Sequence, residues 1–237
     1  EALKMGGLIA VNLGSVEPPT FTIMEWNPKN AKNKKPYLLV GKGVVYDTGG
    51  LSLKDTANSM DMMKCDMAGS AAVACAMYAI AKMKLPLHVV ALVPATDNRP
   101  GGNAYVPGDV IKMHSGLHVE MLNADAEGRM ILADALSYGQ KYKPQLVIDL
   151  ATLTGAAASA IGPYGIVCMG TADENIKKEL KTSGENVYER LTEFPFWDEY
   201  DELIKSDIAD IKNTGGAHGG AITAGKFLQH FVDYPWM

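Results

Sequence analysis

The amino-acid sequence predicts an α/β protein built on a layered sheet, and two observations carry that prediction. Short β-branched and apolar runs alternate with longer helical patterns along the chain, the rhythm of strands crossing over through helices. The unusual polar residues gather in the loops that follow strand-like runs, where open α/β sheets place their ligands. The segment 36–46, PYLLVGKGVVY, is apolar and β-branched and reads as a buried strand. Residues 63–83, MKCDMAGSAAVACAMYAIAKM, are rich in small side chains and read as one closely packing helix. Residues 87–95, LHVVALVPA, read as the next strand, ending at its proline, and 118–123, HVEMLN, alternate as a half-buried strand does. In 128–142, Ile131 and Ala135, like Leu132 and Leu136, stand four apart, which predicts an amphipathic helix. A strand at 145–153 and another within 161–170 follow, then one or two polar-faced helices over 175–191 and a glycine-led helix over 219–232. With no internal repeat and no low-complexity linker, the economical reading is one domain.

Composition narrows the function classes. The 237 residues are 47% hydrophobic and 21% charged, enough to bury a sizeable core. A net charge of −5 disfavours nucleic-acid binding through bulk charge. No run of about 18 apolar residues marks a membrane span, and the opening EALKMGGLIAVNLGS has no signal-peptide pattern. The chain lacks an initiator methionine and ends on the aromatic stretch FVDYPWM, as expected of a fragment. Cys65, Cys75 and Cys168 match no zinc spacing and read as buried, reduced thiols of a cytosolic protein. The five histidines form no H-x-x-x-H pair.

The chemistry concentrates in three loops. Within NADAEGRM (123–130), Asp125 and Glu127 are two apart just before a helix, so both carboxylates leave an extended segment on the same side. Taken alone, that pattern also fits a helix start with a capping acid. Asp47 lies in the glycine turn after the 36–46 strand. Asp66 sits among Met, Cys, Ala and Gly, where a carboxylate is costly to bury unless paired or metal-bound. If these four carboxylates meet, they need strong positive charge, which two divalent cations supply. A lysine beside such a pair would have its ammonium form disfavoured by the cations and by burial, and its neutral amine can serve as a ligand. That leaves the other lysine of Lys42 and Lys54, together with Arg129, to stabilise oxyanions or hold a small anion. A phosphate cradle fits less well: GKGVVYDTGG matches neither G-x-x-x-x-G-K-[ST] nor G-x-G-x-x-G, and it leaves Asp66, Asp125 and Glu127 without a role.

The segments VGKGVVYDTGGLSLK, MKCDM, NADAEGR and ATLTGA, in this order and spacing, resemble the leucyl aminopeptidase (cytosol aminopeptidase) family. The likeness extends over nearly the whole chain from about residue 8. It implies a three-layer α/β/α sandwich around a mixed, mostly parallel sheet. The implied activity is two-metal removal of N-terminal residues, leucine-like ones preferred, from peptides by a cytoplasmic homohexamer. By the same resemblance, Lys42, Asp47, Asp66, Asp125 and Glu127 are the metal ligands, with Asp47 and Glu127 bridging. Lys42 and Asp66 would complete the tighter site and Asp125 the more exchangeable one. The metals implied are zinc or manganese, with magnesium and cobalt as further candidates. Lys54 would polarise the scissile carbonyl, and Arg129 would hold a bicarbonate acting as general base. Met63, Thr152 and Gly155 would line the pocket for the first side chain, and Leu153 would hold substrate through its backbone. Ala124 and Met130 replace the usual Thr and Leu of the octapeptide, neither a ligand position. The resemblance further implies that residues 1–237 are the catalytic domain, without the family's N-terminal domain and its last strand and helix.

Overall fold

Alternating side chains on the central strands explain the layering seen in a computed structural model, which describes residues 3–237. Strands β1 (Thr20–Trp26), β2 (Tyr37–Gly41), β3 (Gly43–Asp47), β4 (Val89–Asn98) and β7 (Leu146–Leu150) form one mixed sheet in the order β1-β4-β2-β7. Strand β3 continues β2 along the same edge of β4, beyond a break at Lys42. All pairs are parallel except β1 with β4. Leu38, Val40, Val90 and Leu92 point to one face, where α1 (Gly6–Asn12), α3 (Glu127–Gly139) and α6 (Gly220–Gln229) close the main core. Their neighbours Tyr37, Leu39, Val89 and Ala91 point to the other face and meet Val73 and Met77 of α2 (Ala68–Lys82). On that second face, α5 (Glu174–Val187) packs Ile176 and Leu180 near Leu146 and Ile148. The fold is therefore the expected α/β/α sandwich with a mixed, mostly parallel sheet.

Smaller elements complete the chain. Strands β5 (Asp109–Lys112), β6 (His118–Met121) and β10 (Ile211–Lys212) make a three-stranded sheet. Strands β8 (Ile166–Cys168) and β9 (Leu191–Glu193) pair separately, and the short helix α4 (Gly155–Ile161) precedes β8. Residues Pro235–Met237 run beside β7, with Met237 N donating to Val147 O at 3.0 Å.

Four sequence expectations are corrected. The helix foreseen over 63–83 divides into a 3-10 turn, Met60–Cys65, and α2, because the chain turns at Asp66 and Met67 to carry the Asp66 carboxyl inward. Strand β4 does not stop at Pro94 but runs to Asn98. Pro94 stands opposite the Lys42 break, between the Val40–Leu92 and Gly43–Ala95 pairs, where the parallel ladder is interrupted. Helix α3 is buried on every side rather than amphipathic, because α1 and α6 cover the face that water would otherwise wet. Cys65 and Cys75 are exposed and Cys168 is half-buried, so none is the buried thiol foreseen. Cys75 lies on the outward face of α2 beside the exposed Ala72 and Ala79.

Candidate active site

The carboxyl ends of β2, β3, β4 and β7 converge with the N-terminal end of α3, and the charged residues meet there. Lys42 lies in the break between β2 and β3. Its N–H donates to Leu150 O at 3.0 Å and its carbonyl accepts Ser70 N at 2.9 Å, so the backbone stays satisfied where the ladder lapses. The buried Lys42 ammonium reaches Asp66 Oδ1 at 2.8 Å, Glu127 Oε1 at 2.9 Å and Thr152 O at 2.9 Å. Burial disfavours the charged amine. Glu127 and Asp66 outweigh that effect and raise its pKa above the usual lysine value.

Asp66 follows the 3-10 turn. Its Oδ1 also accepts the Thr152 hydroxyl at 2.7 Å, while Oδ2 is buried with no hydrogen-bond partner. Its pKa is raised by burial and, against the pull of Lys42, by the Glu127 charge. A buried carboxylate oxygen without a donor is the arrangement a cation would satisfy.

The second half of the cluster surrounds Lys54. Its ammonium lies 3.0 Å from Asp47 Oδ2 and 2.5 Å from Asp125 Oδ1. Burial lowers its pKa, but the Asp125 and Asp47 carboxylates more than compensate and raise it. Asp125 is pushed up to about 6, chiefly by burial and opposed by Lys54. Oxygens of Asp47, Asp125 and Glu127 all lie within 4.8 Å of one another. Three carboxylates so placed, with Asp66 joined to Glu127 through Lys42, offer hard oxygen donors suited to divalent cations.

The turns make this convergence possible. Gly49 and Gly50 have φ of +85° and +59°, the left-handed region, and turn the chain sharply after Asp47. Ser52 Oγ in that turn accepts Ala124 N at 3.0 Å, tying it to the Asp125 loop. Asn123 Oδ1 accepts Asp125 N at 2.8 Å, an Asx turn that presents Asp125. Helix α3 then starts at Glu127, whose negative charge suits that terminus.

Arg129, in the first turn of α3, is buried and donates Nη1 to Asn213 O at 2.8 Å. Burial lowers its pKa to about 10, resisted by Glu127, and it stays charged at neutral pH. Thr152 and Leu153 follow β7. Thr152 touches both Lys42 and Asp66, and Leu153 is partly buried against the core. Met63 O accepts Asp66 N at 3.3 Å, which puts Met63 at the base of the same turn. Gly155 opens α4, exposed, and a Cβ there would meet nothing within 4 Å. The structure thus brings Lys42, Lys54, Asp47, Asp66, Asp125, Glu127 and Thr152 into one connected cluster. It records no contact from Gly155 to that cluster.

Four residues in or beside the site were not anticipated from the sequence. Asn98, Tyr105, Asn213 and Gly128 all support it. Asn98 and Tyr105 both donate to Ala124 O, at 3.0 and 3.2 Å. Asn213 Oδ1 accepts Leu122 N and Asn123 N at 2.9 and 3.3 Å, and its Nδ2 donates to Asn123 O at 2.8 Å. A Cβ on Gly128 would lie 2.6 Å from Lys42 Cε. For Asn98 a signal existed: a polar residue closing a buried apolar strand at its carboxyl end. The surface grooves beside Phe196 and Trp197 share no residue with the cluster.

Comparisons with known proteins identify the family. Residues 1–237 match the family described as "Cytosol aminopeptidase family, catalytic domain". A probable cytosol aminopeptidase of Chlorobaculum tepidum is 55% identical over 98% of this chain and 45% of its own length. One from Geobacter sulfurreducens is 52% identical over 98% of this chain and 46% of its own length. Two structures of the bottromycin maturation enzyme BotP, one in complex with Mn, superpose with TM-scores of 0.91 and 0.93 at 36% identity. They cover 99% of this chain and 50% and 51% of theirs. The chain thus spans about half the length of the relatives it matches. Its sequence over the full 237 residues, its α/β/α fold and its relatives place the chain in the cytosol aminopeptidase family.

Proposed function

We propose that the protein containing this chain is a two-metal aminopeptidase that removes the first residue, leucine-like by preference, from peptides with a free N-terminus. The observation that carries the reading is the convergence of Asp47, Asp125 and Glu127 oxygens within 4.8 Å, beside a buried Asp66 oxygen that lacks a donor. Membership of the cytosol aminopeptidase family and the Mn named for the BotP complex support it. Asp47, Asp66, Asp125 and Glu127 would hold the cations, zinc or manganese, with Lys42 joining them as a neutral amine once the cations disfavour its proton. Bound there, divalent cations supply Lewis-acid polarisation of a carbonyl and lower the pKa of a water.

The chain's own residues do the rest. Asp66 would be the anionic partner for a substrate α-ammonium bound beside the cluster. Lys54 keeps its proton, because Asp125 and Asp47 raise its pKa, and its ammonium stabilises negative charge as it develops on the carbonyl oxygen. Arg129 spends one donor on Asn213 O, and its remaining donors hold a bicarbonate in a charge-assisted grip. A bicarbonate held there would supply general-base chemistry toward a water and general-acid chemistry toward the leaving amine. Met63, Thr152 and Gly155 would line the space for the first side chain, and Leu153 would hold the substrate through its backbone. Among the described residues no helix is long and apolar enough to cross a membrane. We take the assembly to be a cytoplasmic homohexamer.

The test is hydrolysis of a leucine anilide by the full-length protein after chelation and Mn²⁺ or Zn²⁺ add-back, beside Lys54→Ala and Glu127→Ala. Activity that follows the metal and falls on the order of a hundredfold or more in Lys54→Ala supports the reading. A folded, metal-loaded protein that leaves the anilide intact refutes it.

A further inference from the structure

Asn98, the last residue of β4, is fully buried at the junction of the two metal-bearing loops. Its Nδ2 donates to Asp47 Oδ1 at 2.8 Å and to Ala124 O at 3.0 Å. Both partners are acceptors, which fixes the orientation of the amide: a flip would set oxygen against two oxygens. Its main-chain carbonyl accepts Thr48 N at 3.0 Å and Thr48 Oγ1 at 2.8 Å. A single residue of the central sheet therefore grips the turn that carries Asp47 and the loop that carries Asp125.

The consequence for Asp47 is specific. Its Oδ1 receives two donors, Asn98 Nδ2 and Gly49 N, each at 2.8 Å. Two donors on one oxygen set the rotation of the carboxylate and leave Oδ2 turned toward Lys54 and the cluster. Asn98 Oδ1 has no hydrogen-bond partner and lies 2.7 Å from where a Cβ on Gly50 would be. A buried acceptor left unpaired is destabilising. Stability alone therefore does not account for an asparagine here, and the work of its Nδ2 does.

We propose that Asn98 is a positioning residue that aims the Asp47 carboxylate and sets its distance from Asp125. The proposal rests on the assignment of Asp47, Asp125 and Glu127 as metal ligands. It predicts an uneven effect. Asn98 bonds Asp47 and the Asp125 loop, and among the described residues no hydrogen bond joins it to Lys42 or Asp66. Its loss should weaken chiefly the cation that Asp125 completes.

The experiment is a Mn²⁺ titration of the full-length protein, with free Mn²⁺ read by electron paramagnetic resonance, for the parent, Asn98→Asp and Asn98→Ala. Asn98→Asp keeps the shape and removes both donors. Asn98→Ala removes the side chain without adding charge, and it carries the test if the aspartate variant fails to fold. The expected result is a 10- to 100-fold weaker second site, with the tighter site changed by less than about threefold. Parent-like binding at both sites overturns the proposal. So does an equal weakening of both sites in step with a lower thermal midpoint, which marks a merely structural role, and so does failure of both variants to fold. A parent that binds no Mn²⁺ overturns the metal reading itself, and the proposal with it.

Discussion

Replacing Gly128 by alanine adds one methyl group, and helix propensity alone makes that change favourable by roughly 1 kcal/mol in a helix interior. The packing around Lys42 makes the opposite prediction. A Cβ at 128 would lie 2.6 Å from Lys42 Cε, 2.7 Å from Nζ and 2.8 Å from Cδ, against 3.4–4 Å for ordinary contact. The lysine would have to retreat by about 1 Å to restore contact distance. Its Nζ bonds to Asp66, Glu127 and Thr152 O are 2.8–2.9 Å long, so a retreat of that size takes them past hydrogen-bond reach. Lys42 is buried and its neighbours are backbone and carboxylates, so little space receives it. Crowding a packed interior costs about 1–3 kcal/mol, and breaking a buried ion pair about 3–5 kcal/mol. Set against the helix gain, we expect Gly128→Ala to lower stability by about 3 kcal/mol or more. Urea denaturation reads the stability, and Mn²⁺ titration of the same sample reads the site. A variant as stable as the parent, with unchanged Mn²⁺ affinity, would refute the account of how Lys42 is held.

Further predictions concern residues around the site. Asp134, whose carboxylate accepts Leu8 N and His114 N at 3.0 and 2.8 Å, has its pKa pushed up to about 6 by burial, against those backbone donors. Because the folded pKa lies above the unfolded value of about 3.9, the stability that Asp134 contributes is fully present below that value and is lost as pH rises through about 6. Asp134→Asn lacks this loss, so the stability difference should move in its favour by about 3 kcal/mol between about pH 4 and pH 7.5; a pH-independent difference in chemical denaturation refutes the assignment. Asn213→Ala removes three hydrogen bonds to Leu122 and Asn123, and we expect a loss of about 1–3 kcal/mol together with weaker anilide hydrolysis. Hydrolysis unchanged in that variant would separate the Asn213 side chain from the placement of the Asp125 loop, since Arg129 uses the main-chain carbonyl that alanine keeps. Lys226, buried with its ammonium 3.1 Å from Asp198 and 4.6 Å from the centre of the Phe196 ring, should tolerate Met within about 1.5 kcal/mol. Ala there should cost about 2–4 kcal/mol by thermal melting, since it leaves a cavity.

The layered fold was legible because alternation on β2 and β4 is written locally, in Tyr37 to Val40 and Val89 to Leu92. The carboxylates were legible because Asp47, Asp66, Asp125 and Glu127 interrupt apolar or glycine-rich runs. Strand β1 was not foreseen: its residues alternate weakly, and only antiparallel pairing with β4, some 70 residues away, makes it a strand. Asn98 and Asn213 were missed for a related reason. Each shows its role only once a distant partner appears, Ala124 being 26 residues from Asn98 and Asn123 being 90 from Asn213. The thiols were misjudged because small apolar neighbours serve equally on a buried or an exposed helix face. Helix α3 carried a four-residue period, but a period does not say how many neighbours the helix will have.

The G-K-G at 41–43 shows how sequence, packing and chemistry join. A Cβ on Gly41 would meet Ser70 Cα at 2.6 Å and Gly69 O at 2.8 Å, and one on Gly43 would meet Pro94 O at 2.8 Å. The two glycines let the strand pass between the start of α2 and β4 while it shifts from β2 to β3. Lys42 leaves the ladder at that step, its N–H and carbonyl satisfied by Leu150 and Ser70. Its side chain runs past Gly128 to the first turn of α3, where Asp66 and Glu127 are both within reach. Clearance, rather than flexibility, is what these glycines contribute. The same step gives the cluster its two halves, because Lys42 engages Asp66 and Glu127 while Lys54 engages Asp47 and Asp125. Filling any one of the three clearances should therefore disturb the Lys42 half first and leave the Lys54 contacts in place, a pattern that charge alone would not produce.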